Sequence, residues 1–334
     1  MRSTHLCYVV DTHTEGEPTR ILLAGFPRLE GKDLVEKREF LRRHLDWLRT
    51  SLLFEPRGHR DQFGALVLPS EEGDIDYKLI FMDGEGYLDM CGHATMGVTT
   101  ALIELGFIQP DEPTTKVTYE TVSGVVEAWA RVRGGCVEEV SVIDVPSFHL
   151  GTHEVRLGGE ILNVDVAYGG NYYAIVEAES LKTRVRLGNL RELVRRGIEL
   201  RDEVSRQVAV SHPDGRGIEE RIKLAMITDK AELPQSSGKN IVVFGRGQFD
   251  RSPCATGTAA RLATMYVKGL IEVDEPFIHE SIINTTFRAR ILRTTRVGGY
   301  EAIIPEITGR AFITQLVKVM INPDDPLKYG FNAY

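Results

Sequence analysis

Hydrophobic and polar residues recur along this chain at two different spacings, which predict a mixture of strands and helices. Leucines at positions 34, 41, 45, 48 and 52 follow helical spacing and predict one helix over residues 33–54. Further helices are predicted over 91–105, 189–210 and 254–268, the second of them broken by Gly197. Short apolar or alternating runs predict strands over 7–10, 65–68, 76–81, 116–143, 164–176, 241–244, 302–304 and 312–319. The pattern indicates a strand-rich α/β chain, with a looser stretch over 147–159 as the expected domain boundary.

Length and composition narrow the class of protein. The chain has 334 residues, enough for about two domains, and its 42% hydrophobic and 26% charged residues are typical of a globular protein. No apolar run is long enough to predict a transmembrane helix, and the polar start of the chain does not resemble a secretory signal. The net charge of −8 argues against non-specific binding to nucleic acid. We therefore expect a cytoplasmic protein whose partners include neither membrane nor nucleic acid.

The cysteines fall into two groups. There are four in the chain, too few for a disulfide scaffold, so reduced thiols are expected. Cys7 lies in a predicted strand and Cys136 follows two glycines, and both are predicted to be buried, inert packing residues. Cys91 and Cys254 differ from them because each begins a predicted helix.

The two helices that begin with cysteine resemble each other. Residues 91–108 align without gaps with residues 254–271, and a Cys, a Thr, a Gly and an Ile coincide. Gly106 and Gly269 end the two helices at matching positions. The cysteines lie about half the chain length apart, which favours a duplicated pair of domains. A chance match between two ordinary helices is the alternative.

A cysteine at the start of a helix is chemically distinctive. The unpaired N–H groups and the positive end of the helix dipole favour the thiolate, and small residues after the cysteine leave those N–H groups open to a carboxylate. Two such thiols facing each other across a cleft could remove a proton from a carbon and deliver one to its opposite face. A redox pair, a zinc site and a cysteine protease are the alternatives. The chain contains no CxxC, which argues against a redox pair, and no HxxxH lies near Cys91 or Cys254, which argues against a zinc site. A protease leaves one thiol unexplained.

Two motifs around these cysteines resemble the signatures of the proline racemase family. They are Met90-Cys91-Gly92-His93 and the run Asp-Arg-Ser-Pro-Cys-Ala-Thr-Gly-Thr at residues 250–258. Other similar stretches lie at 11–18, 55–59, 168–173, 280–283 and 309–312, so the resemblance runs nearly from end to end. The family includes proline racemase, 4-hydroxyproline 2-epimerase and trans-3-hydroxyproline dehydratase. The dehydratase branch has threonine in place of one cysteine, so a chain with both cysteines resembles the racemase and epimerase branches.

The resemblance implies an α+β fold of two pseudo-symmetric lobes similar to diaminopimelate epimerase, each a barrel-like sheet around a central helix. The first lobe would comprise residues 1–152 with 318–334 and carry Cys91. The second would comprise residues 153–317 and carry Cys254. The two lobes would share the cleft in which the substrate binds.

The resemblance also implies roles for the residues of the two motifs. Cys91 and Cys254 would act as acid and base, with no cofactor and no metal. The substrate carboxylate would be bound, largely through backbone N–H groups, by Gly92, His93, Ala255 and Thr256. Asp250 would contact the substrate amine. Ala255 stands where the family usually has glycine, but its N–H is retained.

Two aromatic residues distinguish the possible substrates. Phe63 and Phe244 match positions that look aromatic in proline racemases and more polar or smaller in the epimerases. Two phenyl rings would enclose an apolar pyrrolidine ring and leave a substrate hydroxyl without a hydrogen-bond partner, which is costly; both could instead be ordinary core residues. We expect a cofactor-independent proline racemase, with 4-hydroxyproline 2-epimerase or a non-catalytic amino-acid-binding homologue as alternatives. A homodimer is expected because symmetric association is the commonest kind.

Overall fold

The computed structural model describes residues 5–215 and 217–333, which form two compact units. Unit 1 comprises the described parts of Met1–Asp89, Ala94–Val140 and Arg310–Tyr334. Unit 2 comprises Met90–His93 and the described parts of Ser141–Gly309. Residues 1–4, on which the expectation of a chain without a secretory signal partly rests, lie outside the described residues.

Strands dominate both units, and the α+β fold class is confirmed. The α-helices are α1 (Leu34–His44), α2 (Asp46–Leu53), α3 (Gly92–Glu104), α4 (Leu190–Gln207) and α5 (Ala255–Val267), and a short 3₁₀ helix spans Leu187–Asn189. The strands are β1 (His5–Thr14), β2 (Glu17–Ala24), β3 (Phe63–Pro69), β4 (Tyr77–Met82), β5 (Tyr87–Leu88), β6 (Thr114–Thr121), β7 (Gly124–Arg133), β8 (Cys136–Ile143), β9 (Ser147–Leu157), β10 (Glu160–Tyr168), β11 (Tyr172–Glu177), β12 (Ile222–Asp229), β13 (Gly238–Phe244), β14 (Gln248–Phe249), β15 (Phe277–Glu280), β16 (Thr286–Val297), β17 (Tyr300–Gly309) and β18 (Ala311–Ile321). None of these described helices is long and apolar enough to cross a membrane.

The two units repeat the same succession of strand pairings. In unit 1, β2 pairs in parallel with β3, β3 antiparallel with β4, β4 antiparallel with β5 and in parallel with β6, and β6 antiparallel with β7. In unit 2, β11 pairs in parallel with β12, β12 antiparallel with β13, β13 antiparallel with β14 and in parallel with β15, and β15 antiparallel with β16. Helix α3 follows β5 and helix α5 follows β14, so each occupies the same place in the repeat. The pairing pattern confirms the duplication predicted from the two cysteine-led helices.

Each repeat surrounds its own helix. In unit 2 the strands close into a ring, because β9 pairs with β10 at one edge and with β17 at the other. Helix α5 packs against strands of this ring and is buried over most of its length. In unit 1, helix α3 is buried, and its Thr99 hydroxyl forms a 2.9 Å hydrogen bond with the Tyr119 hydroxyl of β6. Small residues on both helices allow the sheets to approach closely.

The boundaries of the units differ from the division expected at residues 152 and 317. Strand β9 is hydrogen-bonded to β10 along its length, so the stretch expected to be a loose boundary, 147–159, lies within the sheet of unit 2. Strand β18 is paired with β1 from its first residues, so unit 1 resumes at Arg310. Met90–His93 belongs to unit 2 rather than to the unit that contains the rest of α3. Backbone pairing, which needs partners far apart in sequence, sets the first two of these boundaries.

The single helix predicted over residues 33–54 is wrong, because the structure has two helices there. Asp33 caps α1 by accepting a hydrogen bond from the N–H of Glu36 at 2.9 Å. Leu45 then leaves the helical conformation, with φ −129° and ψ 18°, before α2 begins. The leucines of both helices face one apolar core. Their spacing therefore continues across the break and does not reveal it.

The break predicted at Gly197 is also wrong, because α4 runs through it without interruption. A Cβ at this position would lie 2.6 Å from the Cβ of Val243 on β13. Gly197 therefore allows helix and sheet to approach each other closely, and the packing gained offsets the low helix propensity of glycine.

Candidate active site

The beginnings of α3 and α5 meet in unit 2. Cys91 directly precedes α3, and Cys254 is the N-cap residue of α5. A Cβ on Gly92 would lie only 2.5 Å from the Ala255 methyl carbon. Both thiols are free of disulfides and buried, with 5% of Cys91 and 6% of Cys254 exposed. Two helix N-termini with small residues thus lie side by side, and such termini attract anions.

Two glycines after β10 hold the two helix starts together. A Cβ on Gly169 would lie 2.3 Å from the carbonyl oxygen of Thr256, and one on Gly170 would lie 2.7 Å from the Cβ of Met90. The next residue, Asn171, donates a 2.8 Å hydrogen bond from its side-chain amide to the Met90 carbonyl. Residues without side-chain bulk are needed here because the backbone of Thr256 approaches Gly169 and the side chain of Met90 approaches Gly170. These contacts explain why Met90–His93 belongs to unit 2.

The thiol of Cys91 has an imidazole beside it. Its Sγ lies 3.2 Å from Nδ1 of His93. His93 is buried, and burial lowers its pKa from the ordinary 6.5 to about 3, so the ring is neutral at physiological pH. Nδ1 of a neutral ring can accept a hydrogen bond from the thiol if the proton resides on Nε2. The resemblance had implied mainly a backbone role for His93, and the structure adds this side-chain contact.

Cys254 has an unusual backbone conformation. Its φ of 63° and ψ of 105° lie outside the regions that residues with a side chain favour, and conformations of this kind cost about 1–3 kcal/mol. Ser252 stabilises it by accepting a hydrogen bond from the Cys254 N–H at 3.1 Å. Thr258 donates to the Cys254 carbonyl from its backbone N–H at 2.8 Å and from its hydroxyl at 2.7 Å. The preceding carbonyl, that of Pro253, accepts a 2.9 Å hydrogen bond from the amide of Asn240.

A buried histidine extends this support. Nε2 of His279 lies 2.7 Å from the Arg261 guanidinium, which can only donate, so Nε2 accepts and Nδ1 carries the proton. Nδ1 lies 2.7 Å from the Thr258 hydroxyl, which itself donates to the Cys254 carbonyl. Burial, together with the charge of Arg261, lowers the pKa of His279 well below its ordinary value and keeps the ring neutral. Each hydrogen bond in the series from Arg261 through His279 and Thr258 to the Cys254 carbonyl therefore has one donor and one acceptor.

The side chain of Cys254 lies beside the hydroxyl group of Tyr173. The Tyr173 hydroxyl lies 3.4 Å from Sγ and 2.5 Å from the Thr256 hydroxyl. Burial raises the pKa of Cys254 well above its ordinary value and the charge of Asp250 raises it further, while hydrogen bonds from Tyr173 and the Gly257 N–H lower it. The expectation that the helix start lowers the pKa is therefore wrong for Cys254, because burial outweighs it. Cys254 is a protonated thiol at neutral pH.

Asp250 is positioned by the tight turn that leads into α5. Its Oδ1 accepts hydrogen bonds from the N–H of Ser252 at 2.8 Å and from the Ser252 hydroxyl at 2.7 Å. Burial raises the pKa of Asp250 to about 6, although the bonds from Ser252 oppose this. The same serine side chain binds Asp250 and the N–H of Cys254. The Asp-Arg-Ser-Pro-Cys motif therefore fixes the carboxyl and the thiol relative to each other.

The two aromatic residues expected around the substrate ring lie in different units. Phe244 ends β13 and belongs to an apolar cluster of unit 2 that includes Cys254, Tyr173 and Met226. Phe63 begins β3 in unit 1, where it pairs with Thr19, and is buried. The structure groups Phe244 with the residues of the candidate site in unit 2.

The remaining cysteines differ from each other. Cys7 is completely buried in the core of unit 1, where its thiol lies 3.5 Å from the Gly25 carbonyl. Its predicted packing role is confirmed. Cys136 is exposed at the start of β8, directly after the turn at Gly134 and Gly135, so the prediction that it is buried is wrong. Within residues 5–215 and 217–333, no group of three His, Cys, Asp or Glu side chains is arranged to hold a metal ion.

Comparison with known proteins identifies the family. A sequence profile described as "Proline racemase" matches residues 9–332. The chain belongs to the proline racemase family. A protein named proline racemase from Acetoanaerobium sticklandii is 43% identical over 98% of both chains. One named 4-hydroxyproline 2-epimerase from Streptosporangium roseum is 36% identical over 99% of both.

Solved structures agree with this assignment. The chain resembles the crystal structure of a hydroxyproline epimerase from Agrobacterium vitis with bound trans-4-hydroxy-L-proline. The TM-score is 0.92 at 33% identity, over 99% of this chain and 97% of that one. The relatives named proline racemase and 4-hydroxyproline 2-epimerase are isomerases, and this chain is an isomerase of the racemase and epimerase type.

Sequence reasoning missed several residues around the two thiols. Tyr173 lies in a stretch that resembles the family, but no role was expected for it. Thr258 aligns with a threonine in the other repeat. This match indicated that the residue is important but did not indicate what it binds. His279 and Asn240 lie on β15 and β13, after and before Cys254 in the sequence, and the parallel pairing of these two strands brings them together behind it.

Proposed function

We propose that this isomerase interconverts L- and D-proline, with Cys91 and Cys254 as the two acid–base groups. The observation that carries the proposal is the adjacency of two cysteine-led helix starts through Gly92 and Ala255. The 43% identity to a protein named proline racemase supports the choice of substrate. Phe244 supports it too, because it shares an apolar cluster with Cys254 and offers no partner to a ring hydroxyl.

The reaction requires one proton to leave the α-carbon and another to arrive from the opposite face. In one direction, the Cys91 thiolate takes the α-proton, and the electron pair of the broken C–H bond stays on the α-carbon. Cys254, which burial keeps protonated, then donates its thiol proton to the other face of that carbon. The two cysteines have exchanged protonation states and no proton is gained or lost overall. The reverse direction starts from the other state.

The helix starts stabilise the charge that develops in this reaction. The N–H groups of Gly92, His93, Ala255 and Thr256 are the ones proposed to bind the substrate carboxylate. When the α-proton leaves, negative charge spreads onto that carboxylate, and N–H donors in a dry site stabilise it more strongly than water does. Asp250 is proposed to bind the substrate amine, with its Oδ1 already oriented by Ser252.

Exchange of the α-hydrogen with solvent tests the proposal. In D₂O, reduced wild-type protein is expected to convert L-proline to D-proline and to introduce deuterium at the α-carbon. The loss of the α-hydrogen signal in the ¹H NMR spectrum measures this exchange. C91S and C254S are expected to lose racemisation by at least about 100-fold, the lower end of what one acid–base group contributes. C136S is the matched control, because Cys136 is exposed on β8, and should behave as wild type.

Two outcomes would contradict the proposal. Wild-type protein that leaves the α-hydrogen of proline unexchanged does not racemise it, and either single variant that retains wild-type racemisation excludes the two-thiol mechanism. The same assay with trans-4-hydroxy-L-proline tests the alternative, 4-hydroxyproline 2-epimerase, which the Agrobacterium vitis structure favours. Faster exchange of hydroxyproline than of proline would establish that alternative.

We further propose that the protein acts as a cytoplasmic homodimer. The free thiols of Cys91 and Cys254 suit a reducing compartment, and two-fold association is the commonest assembly of soluble enzymes. Light scattering coupled to gel filtration is expected to give twice the chain mass of 37.4 kDa. A monomeric mass would contradict the proposed assembly and leave the proposed reaction unaffected.

A further inference from the structure

A buried carboxyl group that the proposed reaction does not use lies beside the helix starts. Asp144 follows β8 in unit 2 and is only 3% exposed. Its N–H donates to the Pro305 carbonyl at 3.0 Å, and its Oδ1 accepts from the Val145 N–H at 2.7 Å. Its Oδ2 is buried and has no hydrogen-bond partner among the described residues. Such an atom normally has a partner, because leaving it unpaired is costly.

The unpartnered oxygen lies on the side of Asp144 that faces Gly92. A Cβ on Gly92 would be 3.9 Å from Oδ2 and 2.5 Å from the Ala255 methyl carbon. Oδ2 is therefore close to the place where α3 and α5 begin, which is the place proposed for the substrate carboxylate. The bond from the Asp144 N–H to Pro305 holds the main chain of this residue, and the bond from the Val145 N–H to Oδ1 orients its carboxyl.

The surroundings of Asp144 favour its protonated form. Burial raises the pKa of this carboxyl from the ordinary 3.8 to about 7, and the Val145 N–H opposes the rise only in part. The titratable side chains of the helix starts are Cys91 and His93 next to α3 and Cys254 and Asp250 next to α5. All four are neutral or negative at neutral pH, so none of them supplies a positive charge to stabilise an ionised Asp144. Arg251, next to Asp250, is a cation, but its guanidinium donates to the Phe249 carbonyl at 2.7 Å and lowers the pKa of Asp250, not that of Asp144.

The neighbouring strand supplies no cation either. Pro305, whose carbonyl binds the Asp144 N–H, is followed on β17 by Glu306, which is paired with Arg290 at 2.8 Å. An uncompensated carboxylate in this place would be disfavoured by its own burial. It would also repel a second carboxylate brought to the same helix starts.

We propose that Asp144 binds the substrate carboxylate, donating a hydrogen bond to it from a proton on Oδ2. This inference rests on the proposed function, because it assumes a carboxylate at the starts of α3 and α5. The contact gives the unpartnered oxygen its partner when substrate is bound. It also makes substrate binding depend on the protonation of Asp144, since only the protonated form can donate.

Steady-state kinetics of wild type and D144N test this inference. The KM for L-proline and kcat are measured from pH 6 to pH 9 with the full chain. In wild type, KM is expected to rise above about pH 7 and to approach a tenfold increase per pH unit, while kcat changes less. In D144N the amide donates at every pH, so KM should stay within about threefold over the same range. D83N is the matched control, because Asp83 is a buried carboxyl of unit 1, and it should keep the wild-type profile.

A second variant and a stability measurement separate binding from folding. D144A lacks any donor and is expected to raise KM at pH 6 by at least about fivefold. Thermal melting of D144N should show a gain over wild type that grows from pH 4 to pH 8. The sign follows because the folded protein keeps the Asp144 proton to higher pH than the unfolded chain, so wild type loses stability as pH rises through this window.

The outcomes distinguish this inference from the function on which it rests. If wild type racemises proline and D144N keeps the same dependence of KM on pH, the substrate contact of Asp144 is refuted and the proposed function stands. If D144N melts as expected but D144A has a wild-type KM, Asp144 has only a structural role and the inference is likewise overturned. If wild type does not exchange proline at any pH, both proposals fail.

Discussion

Gly92 offers the sharpest test of the way the two helix starts fit together. In the variant G92A, the new Cβ would lie 2.5 Å from the Ala255 methyl carbon. Two carbon atoms in van der Waals contact are about 3.5–4.0 Å apart, so the variant must separate α3 and α5 by roughly 1 Å or more. Overpacking of this kind costs about 1–3 kcal/mol of unfolding free energy. A displacement of about 1 Å at reacting groups can lower the rate by about 100-fold.

Urea unfolding and racemisation kinetics would measure these two effects in the same variant. We expect G92A to lose about 1–3 kcal/mol of stability and about 100-fold in kcat/KM. The double variant G92A/A255G removes the opposing methyl and is expected to recover most of both losses. G188A is the control, since a Cβ on Gly188 meets nothing within 4 Å. The reasoning is refuted if G92A behaves as wild type, or if removing the Ala255 methyl restores nothing.

Two further predictions concern single side chains. Y173F removes the hydroxyl that lies 3.4 Å from the Cys254 sulfur. We expect kcat for racemisation to fall about tenfold, which corresponds to about 1.4 kcal/mol in activation free energy. Y300F, which removes a tyrosine hydroxyl on β17, should show no such loss in the same assay. His93 has a pKa lowered by burial to about 3, so below pH 6.5 the unfolded chain takes up a proton that the folded protein does not, and stability falls as pH falls. From pH 7 to pH 5 this effect lowers the free energy of unfolding by about 2 kcal/mol. Urea unfolding of H93Q should show no such decrease. The assignment to His93 is contradicted if H44Q, a change at an exposed histidine, removes the decrease to the same extent.

The features that depend on near neighbours in sequence were predictable. The helices at residues 91–105 and 254–268 were placed within about a residue of α3 and α5, because a glycine ends each one. Gly106 and Gly269 have φ of 77° and 68°, the left-handed conformation that glycine adopts without strain. The pair of cysteines and the Asp-Arg-Ser-Pro-Cys turn could also be recognised, since each is identified by residues that are adjacent in the sequence.

Two of the errors share one physical cause, which is packing between distant segments. The break at Leu45 was hidden because the leucines on both sides face the same core. Gly197 looked like a helix breaker because Val243, the residue that requires its small size, lies far away in the sequence. Cys136 was expected to be buried, yet it follows a two-glycine turn on the surface. The outcomes at Leu45 and Gly197 depend on packing partners that local spacing does not contain, whereas the turn before Cys136 is a local feature.

The sequence by itself determined that two thiols head two similar helices and that the chain resembles the proline racemase family. Only the tertiary structure decided that Met90–His93 packs with Ala255 in unit 2, and that Tyr173 lies beside Cys254. The tertiary structure also determines that Cys254 is protonated at neutral pH. The helix start, a local feature, favours a thiolate, but burial by surrounding strands raises the pKa of that thiol. Desolvation depends on every group that excludes water from a site, and those groups come together only when the chain has folded.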